Sequence, residues 1–300
     1  MLPPVSVQKR WQKVDALTDL LLDDPLVERD AKILANLRKT VRKLVPKPLA
    51  SSIAANRPSL YSRYRGNGFP LQGIHGRRLP RWRDLTPWMK VQLATLALSE
   101  TGYMQFKLHV HDDLRAELEA GGVDLREWLR DSLTRNLKRR FSEAPWFFFV
   151  MEGHTKSGEP TRPHAHGSIE IRSVPFGSRS TRSLGERRMI EKKGLAVAEL
   201  EAGKKLTVAA LKACSGNVKG DRPRIAITSG LDQCRNLWPR PPYHPLFNSP
   251  WVDYAFKNAK RVSVTLGETR LVLPHDLRRE ARRLWNLVRE GESALSQWSP

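Results

Sequence analysis

The chain has 300 residues, of which 40% are hydrophobic, so it can bury a core of one large or two small domains and is not globally disordered. Lysine and arginine number 52 against 31 acids, a formal charge of +21 that points to a polyanionic partner, nucleic acid first and an anionic membrane surface second. Two cysteines, Cys214 and Cys234, argue against a disulfide scaffold or a thiolate zinc site. No apolar run approaches the roughly 20 residues that span a bilayer, and Asp15, Asp19, Asp23 and Asp24 interrupt the N-terminal leucines, so the expected setting is cytoplasmic, without a membrane partner.

Helical patterns open the chain over residues 6–22 and 26–44. In the second, Leu26, Ile33, Leu34, Leu37, Val41 and Leu44 recur at helical spacing until Pro46 and Pro48. A basic stretch follows to about residue 84. It carries Arg57, Arg63, Arg65, Arg77, Arg78, Arg81 and Arg83, interleaved with Tyr61, Tyr64, Phe69 and Trp82, and reads as a loop or extended arm. Thr86 as N-cap, Pro87 at the first position and Gly102 past the end bracket a third helix. Residues 1–99 are therefore expected to form an N-terminal helical and basic region, and residues 100–300 a second unit.

That unit opens with a predicted strand over 103–110 and an arginine-rich amphipathic helix over 125–141. The apolar run at 145–151 has the pattern of a buried central strand. A third strand is predicted over 165–174, with Ile169 and Ile171 on one face. Residues 177–203 are charged and serine-rich and read as a surface excursion. A short helix over 208–213 and a strand over 224–228 follow. Ser249 can cap a helix with Pro250 at its first position, carrying Trp251, Tyr254, Phe256 and Lys257. Residues 262–273, broken at Gly267, read as a hairpin, and 275–290 as a closing helix.

The chemistry concentrates in two places. The first is Glu152-Gly153-His154, then Gly158-Glu159-Pro160, then Pro163-His164-Ala165-His166-Gly167. Strand side chains alternate, so His164 and His166 share a face, about 7 Å apart by strand geometry. If the strands flanking the Gly/Pro turn pair, Glu152 falls beside the histidines. Two imidazoles and a carboxylate can hold one ion and leave positions for a substrate oxygen. The second place is Tyr254 and Lys257, three apart and so on one helical face. A tyrosine is a poor nucleophile near its ordinary pKa of about 10; a nearby ammonium favours the phenolate. Lys156 and Arg162 flank the metal turn and Lys260 and Arg261 follow the tyrosine helix, as candidate nucleic-acid phosphate contacts or as solvated surface charge.

Glu152, His154, Gly158, Pro163, His164, His166 and Ile169 resemble the E-x-H…G…P-H-x-H pattern of HUH endonucleases. Tyr254 to Lys257 resembles the Tyr-x-x-Lys motif of the same family, in the expected order. These are rolling-circle replication initiators, with relatives among relaxases and transposases. The resemblance covers about residues 103–264. The turn between Glu152 and His164 is longer than in compact viral members, the stretch between the motifs is long and charged, and no phosphate-loop helicase motif follows.

The resemblance implies an α+β fold: a central antiparallel sheet with flanking helices of the RNA-recognition type, here with the N-terminal helical region added. It implies that His164, His166 and Glu152 hold Mg²⁺ or Mn²⁺ and that Tyr254 attacks single-stranded DNA, forming a 5′-phosphotyrosine link and freeing a 3′-hydroxyl. Lys257 would help position the metal or neutralise developing charge. The substrate would be single-stranded DNA or an origin hairpin, with host helicase and polymerase as partners. A single motif tyrosine matches the single-tyrosine initiators, and Tyr243 lies too far upstream to make a tyrosine pair. A transposase or mobilisation relaxase is the alternative within the family. Outside it, Gly158, His164, His166, Glu170 and Gly177 also fit the first motif of a cupin, in which Glu170 would replace Glu152 as third ligand. A DNA-binding protein without cleavage activity is a further alternative.

Overall fold

A computed structural model describes residues 24–44, 79–98, 103–154, 159–176, 183–216, 225–227, 250–258, 266 and 270–290. The described part is an α+β fold built on one antiparallel sheet. Helix α1 (Pro25–Leu44) and α2 (Pro87–Leu98) precede β1 (Tyr103–His109). Then come α3 (Asp112–Ala120), α4 (Leu125–Lys138), β2 (Phe147–His154) and β3 (Pro160–Glu170). Helices α5 (Leu184–Lys193) and α6 (Leu195–Cys214) lead to β4 (Ile225–Ile227). Helix α7 (Pro250–Ala255), β5 (Leu271–Val272) and α8 (His275–Glu290) complete the order.

The strands lie in the order β4-β1-β3-β2-β5, every neighbouring pair antiparallel. With helices between β1 and β2 and between β3 and β4, the first four strands trace a β-α-β-β-α-β path. Alternation of side chains divides the sheet into two faces. One face carries Met104, Phe106 and Leu108 of β1, Phe147, Phe149 and Met151 of β2, and Ala165 and Ile169 of β3. These pack with Leu118 of α3, Leu129, Leu133 and Leu137 of α4, and Ala210 and Leu211 of α6. The other face carries Tyr103, Phe148 and Val150, which pack with Leu34, Trp88, Leu93, Val252, Leu284 and Trp285 from α1, α2, α7 and α8. Residues from the N-terminal region thus share a core with the sheet and with the last helix. Burying each such side chain contributes about 1.5–3 kcal/mol.

Gly167 is fixed by this packing. A Cβ there would stand 2.3 Å from the Phe148 carbonyl oxygen and 2.5 Å from the Phe106 ring. A glycine directly after His166 lets the Phe106 ring lie over β3.

Several predicted elements need correction. The third strand begins at Pro160 and ends at Glu170, not 165–174, because pairing with β2 outweighs the weak strand preference of its prolines. The strand at its centre is β3, with β2 beside it. The expected surface excursion is helical from residue 183, with mostly exposed or partly exposed residues over 183–190. Ser183 and Glu186 form a reciprocal capping box that starts α5, and Gly194, at φ 83°, separates it from α6. Helix α6 spans far more than the predicted 208–213. Helix α3 was not expected at all; His111 caps it by accepting from the Asp113 N–H at 3.3 Å. Helix α2 starts as predicted, with Thr86 Oγ1 accepting from the Met89 N–H at 3.2 Å. The helix predicted at 6–22, the arginine-rich arm between 45 and 78, Gly102 and most of the hairpin at 262–273 lie outside the described residues. Among the described residues, no helix is long and apolar enough to cross a membrane.

Candidate metal centre and tyrosine helix

Register brings the metal-motif residues together. Glu152 of β2 is opposite His164 of β3, which is opposite His109 of β1. One rung along, Val150, His166 and Lys107 are aligned. Cross-strand partners share a face, so these six side chains stand on the α7 side of the sheet.

His164 and His166 converge until their Nε2 atoms are 2.9 Å apart. Glu152 Oε2 lies 3.2 Å from His164 Nε2 and 2.6 Å from His166 Nε2. All three residues are buried. His164 Nδ1 donates to the Arg162 carbonyl at 2.9 Å, which leaves Nε2 with a lone pair aimed at the group. Two facing imidazole nitrogens and a carboxylate oxygen repel one another unless a proton or a cation lies among them. The three separations match the edge of about 3 Å between adjacent donors at about 2.1 Å from a divalent ion. Burial pushes the His166 imidazole down to about 3, so it is neutral at pH 7, as a ligand must be. Burial alone would raise Glu152, but its contacts with His164 and His166 and the Lys257 charge hold it well below the usual carboxylate range. His166 Nδ1 is buried with no hydrogen-bond partner among the described residues. This group can hold a metal ion.

Glu170 does not join it. That side chain sits at the far end of β3, accepting from the Trp146 N–H at 2.9 Å and from Arg172 Nε at 2.8 Å. A sheet with helices on both faces is also not the all-β barrel of a cupin. His154 ends β2 past an irregularity in the pairing and lies outside the metal group.

The tyrosine motif arrives from above. Helix α7 ends at Ala255, one turn short of the predicted extent, and Phe256–Asn258 form a turn with the Lys257 N–H donating to the Tyr254 carbonyl at 3.2 Å. Lys257 nevertheless faces the same way as Tyr254: its Nζ lies 3.9 Å from the ring centroid. The ammonium donates to Glu152 Oε2 at 2.5 Å. Tyr254 meets His166 edge-on at 5.1 Å, and Trp251 stacks on Tyr254 while its Nε1 donates to the Gly167 carbonyl at 2.9 Å. The expectation that Lys257 lowers the phenol pKa is corrected. Burial, followed by the Glu152 charge, pushes Tyr254 up, because the ammonium is spent on the carboxylate and covers the ring.

Three contributors were not singled out from the sequence. Asn258 Nδ2 donates to Glu152 Oε1 and, at 3.2 Å, to the His154 carbonyl, while the Asn258 backbone carbonyl accepts from Arg270 Nη1 at 2.8 Å. No spacing rule joins residues 106 positions apart. His109 stacks on His164 with centroids 4.8 Å apart; its signal was the polar alternation Gln105, Lys107, His109 in an apolar strand. Asp253 is fully buried, and its Oδ1 accepts from Trp88 Nε1 at 3.0 Å and Gln92 Nε2 at 3.1 Å, both on α2. A six-residue helix cannot hold its own position, and this clamp ties α7 to α2. Asp30 of α1 in turn accepts from the Thr86 N–H at 2.8 Å, fixing the start of α2.

Of the expected phosphate contacts, Arg162 is half exposed and pairs with Asp112 at 2.7 Å. Lys156, Lys260 and Arg261 lie outside the described residues. Comparison of the chain with protein-family models, curated proteins and solved structures returns no match.

Proposed function

We propose that this protein is an HUH-type endonuclease that nicks and rejoins single-stranded DNA through Tyr254 and so initiates rolling-circle replication of a mobile element. The observation that carries the reading is convergence. Glu152, His164 and His166 meet in one donor group, and Tyr254 and Lys257, about 100 positions away in sequence, lie directly against it. The formal charge of +21 suits a nucleic-acid substrate.

Glu152, His164 and His166 would hold Mg²⁺ or Mn²⁺, which when bound polarises a phosphoryl oxygen and lowers the barrier to attack. Tyr254 supplies the nucleophile. As its oxygen bonds to phosphorus, the bond from phosphorus to the 3′-oxygen breaks. The phosphate stays on Tyr254 as a 5′-phosphotyrosine, and the proton lost by the phenol balances the one gained by the 3′-hydroxyl. Reversal rejoins the strand. Lys257 supplies positive charge beside the attacked group. Asn258 holds Glu152 in place, and Trp251 and Asp253 hold α7 over the histidines. Host helicase and polymerase would extend the freed 3′-end.

The test is a denaturing gel after incubation with Mn²⁺ and single-stranded oligonucleotides, including hairpins. A covalent adduct is expected from the wild type and none from Tyr254→Phe. An adduct that persists in Tyr254→Phe refutes the nucleophile. A protein that binds Mn²⁺ but neither binds nor cleaves DNA refutes the reading as a whole.

A further inference from the structure

We infer that the β1 side of the metal centre is a phosphodiester-binding subsite formed by Lys107 and His109, which holds the DNA backbone against the reacting group. This rests on the DNA-nicking reading. The helices that cover this face of the sheet leave part of β1 open. Tyr103 is buried there, while Gln105, Lys107 and His109, the next three residues on the same face, are all half-buried. The open strip therefore runs along β1 and ends at the metal group.

Lys107 is opposite the ligand His166. Direct antiparallel partners have Cα atoms about 4.5–5.5 Å apart, so the four-carbon stem of Lys107 reaches any group seated beside His166. No acid among the described residues forms an ion pair with it, whereas Lys257, the other lysine of the site, is committed to Glu152. An ammonium brought to a divalent ion on this stem is repelled by it unless an anion lies between them. A phosphodiester supplies that anion, with one oxygen for the metal and one for the ammonium.

His109 lies on the other rung, stacked on His164 at 4.8 Å and 20° between ring planes. An imidazole at the metal end of the strip has the chemistry to donate a hydrogen bond to a phosphate oxygen. His109 also lies outside the ligand group: among the described residues, the donor atoms that converge belong to Glu152, His164 and His166. Arg162, just before His164, could have filled the phosphate role but is engaged by Asp112.

Binding of a fluorescent single-stranded oligothymidine is measured against salt concentration in a Tyr254→Phe background with Mn²⁺, alongside Mn²⁺ affinity without DNA. For single strands, each phosphate contact contributes about 0.7 to the slope of log affinity on log salt. Lys107→Gln is expected to lower the slope by about 0.7, Lys107→Arg to preserve it, and both to leave Mn²⁺ affinity within about twofold. His109→Gln is expected to weaken DNA binding several-fold, also without loss of Mn²⁺. An unchanged slope in Lys107→Gln, with normal binding by the parent, overturns the subsite alone. Loss of Mn²⁺ affinity in His109→Gln also overturns it, by making His109 a ligand. If the parent binds DNA through Lys107 but the wild type forms no tyrosine adduct, the subsite stands and the nicking reading fails.

Discussion

The clamp between α2 and α7 makes the sharpest quantitative prediction. Trp88→Phe deletes the indole N–H that reaches Asp253 Oδ1 at 3.0 Å, in a place where Trp88 is 2% and Asp253 0% exposed. A hydrogen bond to a carboxylate contributes about 1.5–3 kcal/mol, and a buried acceptor left without its donor costs about 1–3 kcal/mol. Trp88→Phe also shrinks the ring, so the single variant mixes packing with hydrogen bonding. A double-mutant cycle with Asp253→Ala removes the packing part. Urea unfolding of the wild type, both single variants and the double variant is expected to give a coupling energy of about 1.5–3 kcal/mol. Because the metal donors come from β2 and β3, Mn²⁺ affinity in Trp88→Phe should stay within about twofold, while formation of the tyrosine adduct falls about tenfold or more as α7 loses its placement. A coupling below about 0.5 kcal/mol would show that the clamp does not operate. Equal losses of metal affinity and adduct would show that α2 supports the whole sheet and not the tyrosine helix.

Three other outcomes follow from the same geometry. With His166 pushed down to about 3 by burial, the unfolded chain binds a proton near 6.5 that the folded protein refuses, so stability rises with pH across that window and falls on acidification. Glu152, held low, acts in the same direction below its ordinary range. Between pH 7 and pH 5 urea midpoints should reveal a loss of up to about 2 kcal/mol that is absent in His166→Gln; an equal loss in that variant would assign the effect elsewhere. Lys257→Met removes a cation bonded to Glu152 and is expected to tighten Mn²⁺ binding about tenfold in titration calorimetry while weakening cleavage; weaker metal binding would contradict the placement of the ammonium. Gly167→Ala puts a methyl group 2.3 Å from a backbone oxygen and should cost more than about 3 kcal/mol in thermal unfolding, whereas Gly185→Ala, with nothing within 4 Å, should be neutral or stabilising.

Much of the site was legible because its geometry is local. His164 and His166 share a face through strand alternation, and one turn brings Glu152 across from His164. Helices α2 and α8 were marked by Thr86, Pro87 and the apolar spacing after His275. The failures were local signals passed over or local preferences overruled. The Ser183–Glu186 capping box announced a helix inside a stretch read only as a charged surface excursion. Pro160 and Pro163 disguised the start of β3, which is paired with β2 alone.

The sequence by itself determined the donor chemistry: two alternating imidazoles, a carboxylate and a tyrosine with lysine, in a basic chain. Only tertiary structure decided what surrounds them. Asn258 reaches Glu152 across 106 positions, and Asp253 finds its donors in Trp88 and Gln92 more than 160 positions earlier. Lys257 pairs with the carboxylate and not the phenol, which reverses the direction expected for Tyr254. The physical reason is common to all three. Periodicity constrains residues a few positions apart, whereas burial forces distant polar groups to find whichever partners the packed chain brings within reach.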